Sequence, residues 1–217
     1  MKKIILTTIF TVVVLASANA QQFGLKGGVN FASISGINTG DQWDESGKTS
    51  LHFGVIAEFK ITDKFSFQPE LLYSGQGVTY EKRDVDGWEK EKVKLNYINI
   101  PLMAKFYVAE GFSLEAGPQI GFLTSATSDN EDFNVADGLV IKEKDIKQSL
   151  NSTDFGLNFG AGYKLDSGLN FGIRYNLGLS NINKIKERPI NGDWPNVFEN
   201  SDINNRVLQI SVGYFFK

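Results

Sequence analysis

From Phe155 to Leu179 every second residue is apolar or aromatic, and the stripe has one interruption. It runs Phe155, Leu157, Phe159, Ala161, Tyr163, Leu165, then Leu169, Phe171, Ile173, Tyr175, Leu177, Leu179. Between them lie small, polar or charged residues, among them Gly160, Gly162, Lys164, Asn170 and Arg174. Successive side chains of a strand point to opposite faces, so this alternation predicts a hairpin with one apolar and one polar face. Asp166-Ser167-Gly168 suits a three-residue loop with glycine in the left-handed position. Strands of about eleven residues match the length of a tilted strand crossing a bilayer.

The same period recurs along the chain. The first strand is read over Gln22 to Ala32, the second over Leu51 to Ile61, and the third from Phe65 to Ser74. Pro69 interrupts the third, because proline donates no ladder hydrogen bond, and predicts a bulge or irregularity. The fourth strand is read from about Val93 to Val108. Its apolar stripe moves from odd numbers (Val93, Leu95, Tyr97) to even ones (Ile98 to Val108), which predicts a β-bulge at Tyr97–Ile98. The fifth spans Phe112 to Phe122, and the hairpin above supplies the sixth and seventh. The eighth is Arg206 to Lys217.

Short and long connections alternate. Thr62-Asp63-Lys64, Ala109-Glu110-Gly111 and Asp166-Ser167-Gly168 join strands two to three, four to five and six to seven. Polar stretches over 33–50, 81–92, 124–153 and 180–205 are read as long loops. The odd-length turns set apolar residues opposite apolar residues, and Lys105 nearly opposite Glu115. This predicts an all-β fold: an eight-stranded antiparallel up-and-down transmembrane β-barrel with short periplasmic turns, long external loops and both termini periplasmic. In lipid an open sheet edge costs several kcal/mol for each unpaired group, so strand eight should close on strand one.

A soluble lipocalin-like barrel with its apolar face inward would share the period. Two features favour the membrane. The polar face is rich in Gly and Asn, which suits a narrow barrel interior better than a solvated strand surface. Aromatics gather at the short-turn ends: Phe23, Phe59, Phe65, Phe67, Phe106, Phe112, Tyr163, Phe171, Tyr214 and Phe216, as in a bilayer-interface girdle.

The first twenty residues read as a targeting segment, separate from a single barrel domain over 21–217. Lys2-Lys3 precede an apolar run from Ile4 to Leu15, and Ala18-Asn19-Ala20 is a cleavage signal. Without those lysines the chain carries 20 basic against 25 acidic residues, a net charge of −5, and no nucleic-acid partner is implied. Absence of cysteine excludes a disulfide framework and lipidation at the cleavage point.

The segments FGLKGGVNFASISG, FQPELLYSGQG, YINIPLMAKFY and QISVGYFF resemble the PorT-like outer-membrane β-barrel family of Gram-negative bacteria. The resemblance spans the mature chain and implies a small barrel of the OmpA/OmpX type in the outer membrane. It implies no particular biochemistry. Lys217, after Phe216, departs from the terminal aromatic usual in such barrels.

The inward face is expected to carry Lys26, His52, Glu58, Lys60, Glu70, Lys105, Glu115, Lys164 and Arg174. Charges inside a membrane barrel are costly unless paired, so these should form an interior polar network that plugs the lumen. A narrow pore or transporter is the alternative. His52 is the sole histidine, with Ser50, Ser74 and Asp154 expected at a similar level, so a rim-located enzyme is a further alternative; no G-x-S-x-G or other triad spacing supports it. One histidine and no cysteine argue against a transition-metal site, and no cofactor is expected. Asp129, Asn130, Glu131, Asp132 and Asp137 are read as a solvated acidic loop rather than a divalent-cation site. Trp43, Trp88 and Trp194 fall in the external loops, where they would anchor the loops or contact lipopolysaccharide or a surface protein. The expected role is structural or surface contact, as a monomer, without catalysis.

Overall fold

In the computed structural model the described residues are 21–36, 44–83, 87–134, 138–184 and 202–216. The targeting segment, Trp43, Asp137, Trp194 and Lys217 lie outside them. The strands are β1 (Gln21–Ser35), β2 (Asp44–Lys60), β3 (Phe65–Arg83), β4 (Gly87–Tyr107), β5 (Phe112–Asn134), β6 (Gly138–Asp145), β7 (Thr153–Lys164), β8 (Leu169–Gly178) and β9 (Asn204–Phe215), with a 3-10 turn at Lys147–Ser149.

Eight strands close a ring in the order β1-β2-β3-β4-β5-β7-β8-β9, with all neighbours antiparallel. β9 returns to β1, Tyr214 opposite Leu25 and Asn204 opposite Ser35. Closure pairs the outer groups of both terminal strands, as lipid requires. The short turns form as their residues dictate. Gly111 (φ 71°) and Gly168 (φ 95°) take the left-handed conformation that side chains rarely adopt. In the remaining turn the Thr62 hydroxyl accepts the Phe65 N–H at 3.0 Å.

Three of the stretches read as long loops are in large part strand; in the first, β1 runs to Ser35 and β2 begins at Asp44. β3 and β4 continue to Arg83 and from Gly87, paired throughout, and β5 runs on to Asn134. β6, a ninth strand outside the ring, pairs with that upper part of β5, Asn134 opposite Gly138 through Thr127 opposite Asp145. Charge made these stretches look like loops. In the structure the charges face one another across strands, with Lys92 pairing with Glu131, Lys94 with Asp129 and Lys90 lying near Glu81.

The expected bulge in the fourth strand is corrected. Register against β5 does shift between Asn96 and Tyr97, but Asn96 faces Ser125 while Tyr97 faces Leu123. The extra residue is therefore Thr124 of β5, whose hydroxyl bonds the Asn96 carbonyl at 2.9 Å. β4 keeps one alternation throughout, burying Val93, Leu95, Tyr97, Asn99, Pro101, Met103 and Lys105. What changes at Tyr97 is the meaning of the faces. Below it the inward face is polar and the outward face is exposed and apolar. Above it the inward face is apolar and the outward face carries Lys90, Lys92, Lys94 and Asn96. The outward wall thus changes from apolar to charged, as expected where a barrel wall leaves lipid for water. Pro69 causes a local irregularity without a bulge: it pairs with Leu102, but the ladder to β2 skips Pro69 and Gln68 and resumes in the same register, Ile56 opposite Glu70 and Phe59 opposite Phe67.

The outward face of the lower ring is an apolar belt, with Leu51, Phe53, Leu71, Leu114, Phe155 and Ile173 each about half exposed. At the short-turn end its aromatics touch across strands: Phe59–Phe67 at 6.5 Å, Phe65–Phe106 at 5.9 Å and Tyr214–Phe216 at 5.8 Å between ring centres.

Candidate functional site

The barrel interior is stacked in layers. At the short-turn mouth is a cavity of ≈ 610 Å³ lined by Gln22, Glu58, Lys60, Ser66, Tyr107 and Lys164 among others. Here the Tyr107 hydroxyl donates to Glu58 Oε1 at 2.5 Å and Lys164 Nζ donates to Glu58 Oε2 at 2.8 Å. Lys164 also bonds Gln22 and sits 4.3 Å above the Phe215 ring.

The next layer is ionic and centred on Glu70. Arg174 grips it with two parallel bonds, Nη1 to Oε2 and Nη2 to Oε1, both 2.8 Å. Lys26 Nζ lies 3.4 Å away, and Gln68 Nε2 donates to Oε1 at 2.6 Å. Arg174 Nη2 also donates to Glu115 Oε2 at 3.0 Å. Lys105, opposite Glu115 in the ladder, lies 3.2 Å from its Oε1 and donates to Gln68 at 3.1 Å. Side chains from β1, β3, β4, β5 and β8 are thus tied across the lumen, all nearly inaccessible. Glycine makes the room: a Cβ on Gly162 would stand 2.7 Å from Glu115 Oε1, and one on Gly28 2.8 Å from the His52 ring.

A neutral layer follows. Asn30 Nδ2 donates to Ser74 Oγ at 2.9 Å and to the Gly75 carbonyl at 2.7 Å, and its Oδ1 lies 2.8 Å from His52 Nδ1. Asn176 donates to Asn158, and Asn158 to Gln119. Above, Asn205 Nδ2 bonds Asp154 Oδ2 at 2.8 Å and the Tyr97 hydroxyl at 3.2 Å. The topmost layer is an apolar cluster of Ile34, Val78, Tyr80, Val93, Leu95, Tyr97, Leu123, Ala126, Ile146, Leu150, Ile182 and Ile203, each 5% exposed or less. Sequence reasoning missed this plug. Its signal was present in the alternation Val78-Tyr80, between the third strand and the loop over 81–92, and in Val93-Leu95-Tyr97, which was read as part of the fourth strand's apolar stripe.

Of the expected network, Lys26, Glu70, Lys105, Glu115 and Arg174 share the ionic layer, and Glu58 pairs with Lys164 below. Lys60 is placed elsewhere: it sits at the rim, over half exposed, paired with Asp63 at 3.1 Å. The last residues of β2 reach beyond the barrel, so its ammonium finds water. His52 is 1% exposed and hydrogen-bonded to Asn30, not to Ser50, Ser74 or Asp154. Ser50 instead bonds the Gly75 carbonyl at 2.6 Å, and Asp154 accepts the Ser180 hydroxyl at 2.7 Å. Among the described residues no cluster of His, Asp and Glu is arranged to hold a metal ion.

The water-surrounded hairpins carry a second charged surface. Trp88 stacks beside Phe133 across β4 and β5, ring centres 6.2 Å apart and planes 18° apart. Glu91, facing inward above the lipid belt, is 6% exposed and accepts the Ser128 hydroxyl at 2.6 Å. Burial, with Glu89 nearby, pushes its carboxyl above the ordinary carboxylate range despite the Ser128 bond. The folded state then holds the proton more tightly than the unfolded chain. Stability therefore falls as pH rises from the ordinary carboxylate range through the raised value. Glu91→Gln is expected to be more stable than the parent at neutral pH, with the difference vanishing in acid. Urea unfolding in lipid vesicles at several pH values checks this; parallel pH profiles for the two proteins would refute it.

No curated protein matches the chain. Among solved structures it is similar to Ail of Yersinia pestis (9% identity, 91% of this chain and 99% of that chain, TM-score 0.47). It is also similar to Neisserial surface protein A (12%, 89% and 97%, 0.44) and to OprG from Pseudomonas aeruginosa (14%, 91% and 96%, 0.43). Residues 17–184 match the family described as outer membrane protein beta-barrel domain. With that match over more than half its length, and a closed ring of eight antiparallel strands, the chain belongs to the outer membrane protein beta-barrel domain family and is a β-barrel of the outer membrane.

Proposed function

We propose that this barrel is a closed membrane anchor that presents its β2–β6 extension as a contact surface, and that it is neither a pore nor an enzyme. One observation carries the reading: the lumen is crossed twice, by the Lys26–Glu70–Arg174–Glu115–Lys105 layer and by the apolar cluster around Leu95 and Tyr97. Ions would have to pass a tied ionic layer and then a greasy one, in a ring whose eight strands leave little lumen. His52, enclosed and bonded to Asn30 rather than to Ser50, Ser74 or Asp154, speaks against the rim-located enzyme alternative. Closure of the ring removes any need for a second copy within the membrane, which favours a monomer.

In this reading residues 1–20 are removed on export and the barrel begins at Gln21. The short turns and both termini face the periplasm, and the hairpins face outward. The apolar belt meets lipid, and the extension meets a surface partner or lipopolysaccharide. The four segments quoted above support a place among PorT-like barrels.

Purified protein in planar bilayers is expected to show no steady single-channel current. Large, sustained ion flow would overturn the closed-anchor reading in favour of a pore.

A further inference from the structure

We infer that the outward face of the β4–β5 hairpin holds a saccharide-binding subsite, built on Trp88, that takes a neutral or amino sugar ring. The inference rests on the proposed exposure of the hairpins at the cell surface. A shallow cavity of ≈ 230 Å³ is lined by Glu81, Trp88, Lys90 and Glu131, brought together from β3, β4 and β5. It is smaller than the roughly 300–1,000 Å³ of drug-sized ligand pockets, so it suits a single ring.

The chemistry of the lining is that of a sugar site. The indole offers a π-face to the polarised C–H bonds of a pyranose, and Phe133, stacked against it across β4 and β5, holds its orientation. Carboxylates and an ammonium at the edge of the shelf can accept from and donate to ring hydroxyls. These groups are part-buried and held by the sheet, so little side-chain freedom is lost on binding. Lys90 Nζ and Glu81 Oε2 stand 3.8 Å apart, beyond a direct hydrogen bond. A sugar hydroxyl beside this long contact can accept from Lys90 Nζ. Glu131 is held by Lys92 Nζ at 2.5 Å. Lys90 and Lys92 each already face a carboxylate, Glu81 and Glu131, so the site has no surplus of positive charge for a sulfated ring and favours a neutral or amino sugar.

The chain has three tryptophans, so a W43F/W194F background leaves Trp88 as the sole indole reporter. Folded protein in detergent would be titrated with chitotetraose, with its de-N-acetylated glucosamine tetramer, and with a heparin tetrasaccharide. A saturable blue shift with the first two is expected. Calorimetry should show binding weakened about tenfold or more by Trp88→Ala. Glu131→Gln should weaken the amino tetramer more than the neutral one. No saturable response to either tetramer, binding unchanged in Trp88→Ala, or binding confined to heparin would each overturn the subsite. Cells displaying the protein separate this from the surface reading. Binding by purified protein but not by intact cells would uphold the subsite and overturn the outward placement of the hairpins.

Discussion

Replacing Glu70 with glutamine is expected to destabilise the barrel by about 3–5 kcal/mol, the usual cost of removing one partner from a buried ion pair. Glu70 is the hub of the ionic layer. It receives both Arg174 bonds, the Gln68 amide and the Lys26 ammonium, in a side chain with no solvent exposure. Glutamine keeps the size but not the charge. Lys26, Arg174 and Lys105 would then share Glu115 alone among the carboxylates of that layer. The double variant Glu70→Gln/Arg174→Met removes one charge of each sign and restores the original balance. It should recover most of the loss, because a buried pair replaced as a unit is often neutral. Unfolding by urea in lipid vesicles, for both single variants and the double, gives the coupling. If Glu70→Gln unfolds like the parent, the layer is ornamental to stability and the tied-plug account is lost.

The second large effect is expected at two consecutive residues of β4. Leu95→Ala should cost about 2–5 kcal/mol, combining lost burial with a cavity in the apolar cluster. Leu95 is 1% exposed there. Lys94→Ala should cost no more than about 1 kcal/mol, because its pairing with Asp129 lies on the water-facing side. The contrast follows from a strand whose inward face is greasy and whose outward face is wet, the reverse of the arrangement a few residues further along. The same vesicle unfolding series measures it. Equal costs for the two substitutions would mean that no apolar plug exists above the bilayer. Loss of the plug in Leu95→Ala should by itself leave the lumen shut, since the Glu70 layer remains.

Much of the lower barrel was legible from residue order. Alternation of period two shows which side chains share a face, and three-residue turns set the register, so residue order alone places Lys105 opposite Glu115, as in the ladder. Such information is local: it depends on strand geometry and on turns that join neighbours in the chain. The partners of Glu70 were not legible. Arg174 lies 104 residues away and reaches Glu70 across the lumen, a distance that only ring closure makes short. Lys60 shows the same limit from the other side. Its parity put it on the inward face, but its height along the axis put its ammonium in water.

The phase change at Tyr97 marks where sequence and structure divide the work. The residues themselves recorded that something changes there, since the apolar stripe steps from odd to even numbers. A bulge in that strand and a change of solvent produce the same step in one dimension. In three dimensions β4 runs unbroken, the extra residue is Thr124 on β5, and the outward face turns from exposed apolar residues to paired charges such as Lys92 and Lys94. Alternation is a property of one strand, so the sequence by itself determined the all-β fold, the eight spanning strands and the closure that lipid demands. Which face is inside, which charges meet, and where the bilayer ends depend on neighbours brought together by the closed ring. Those were decided only by the tertiary structure.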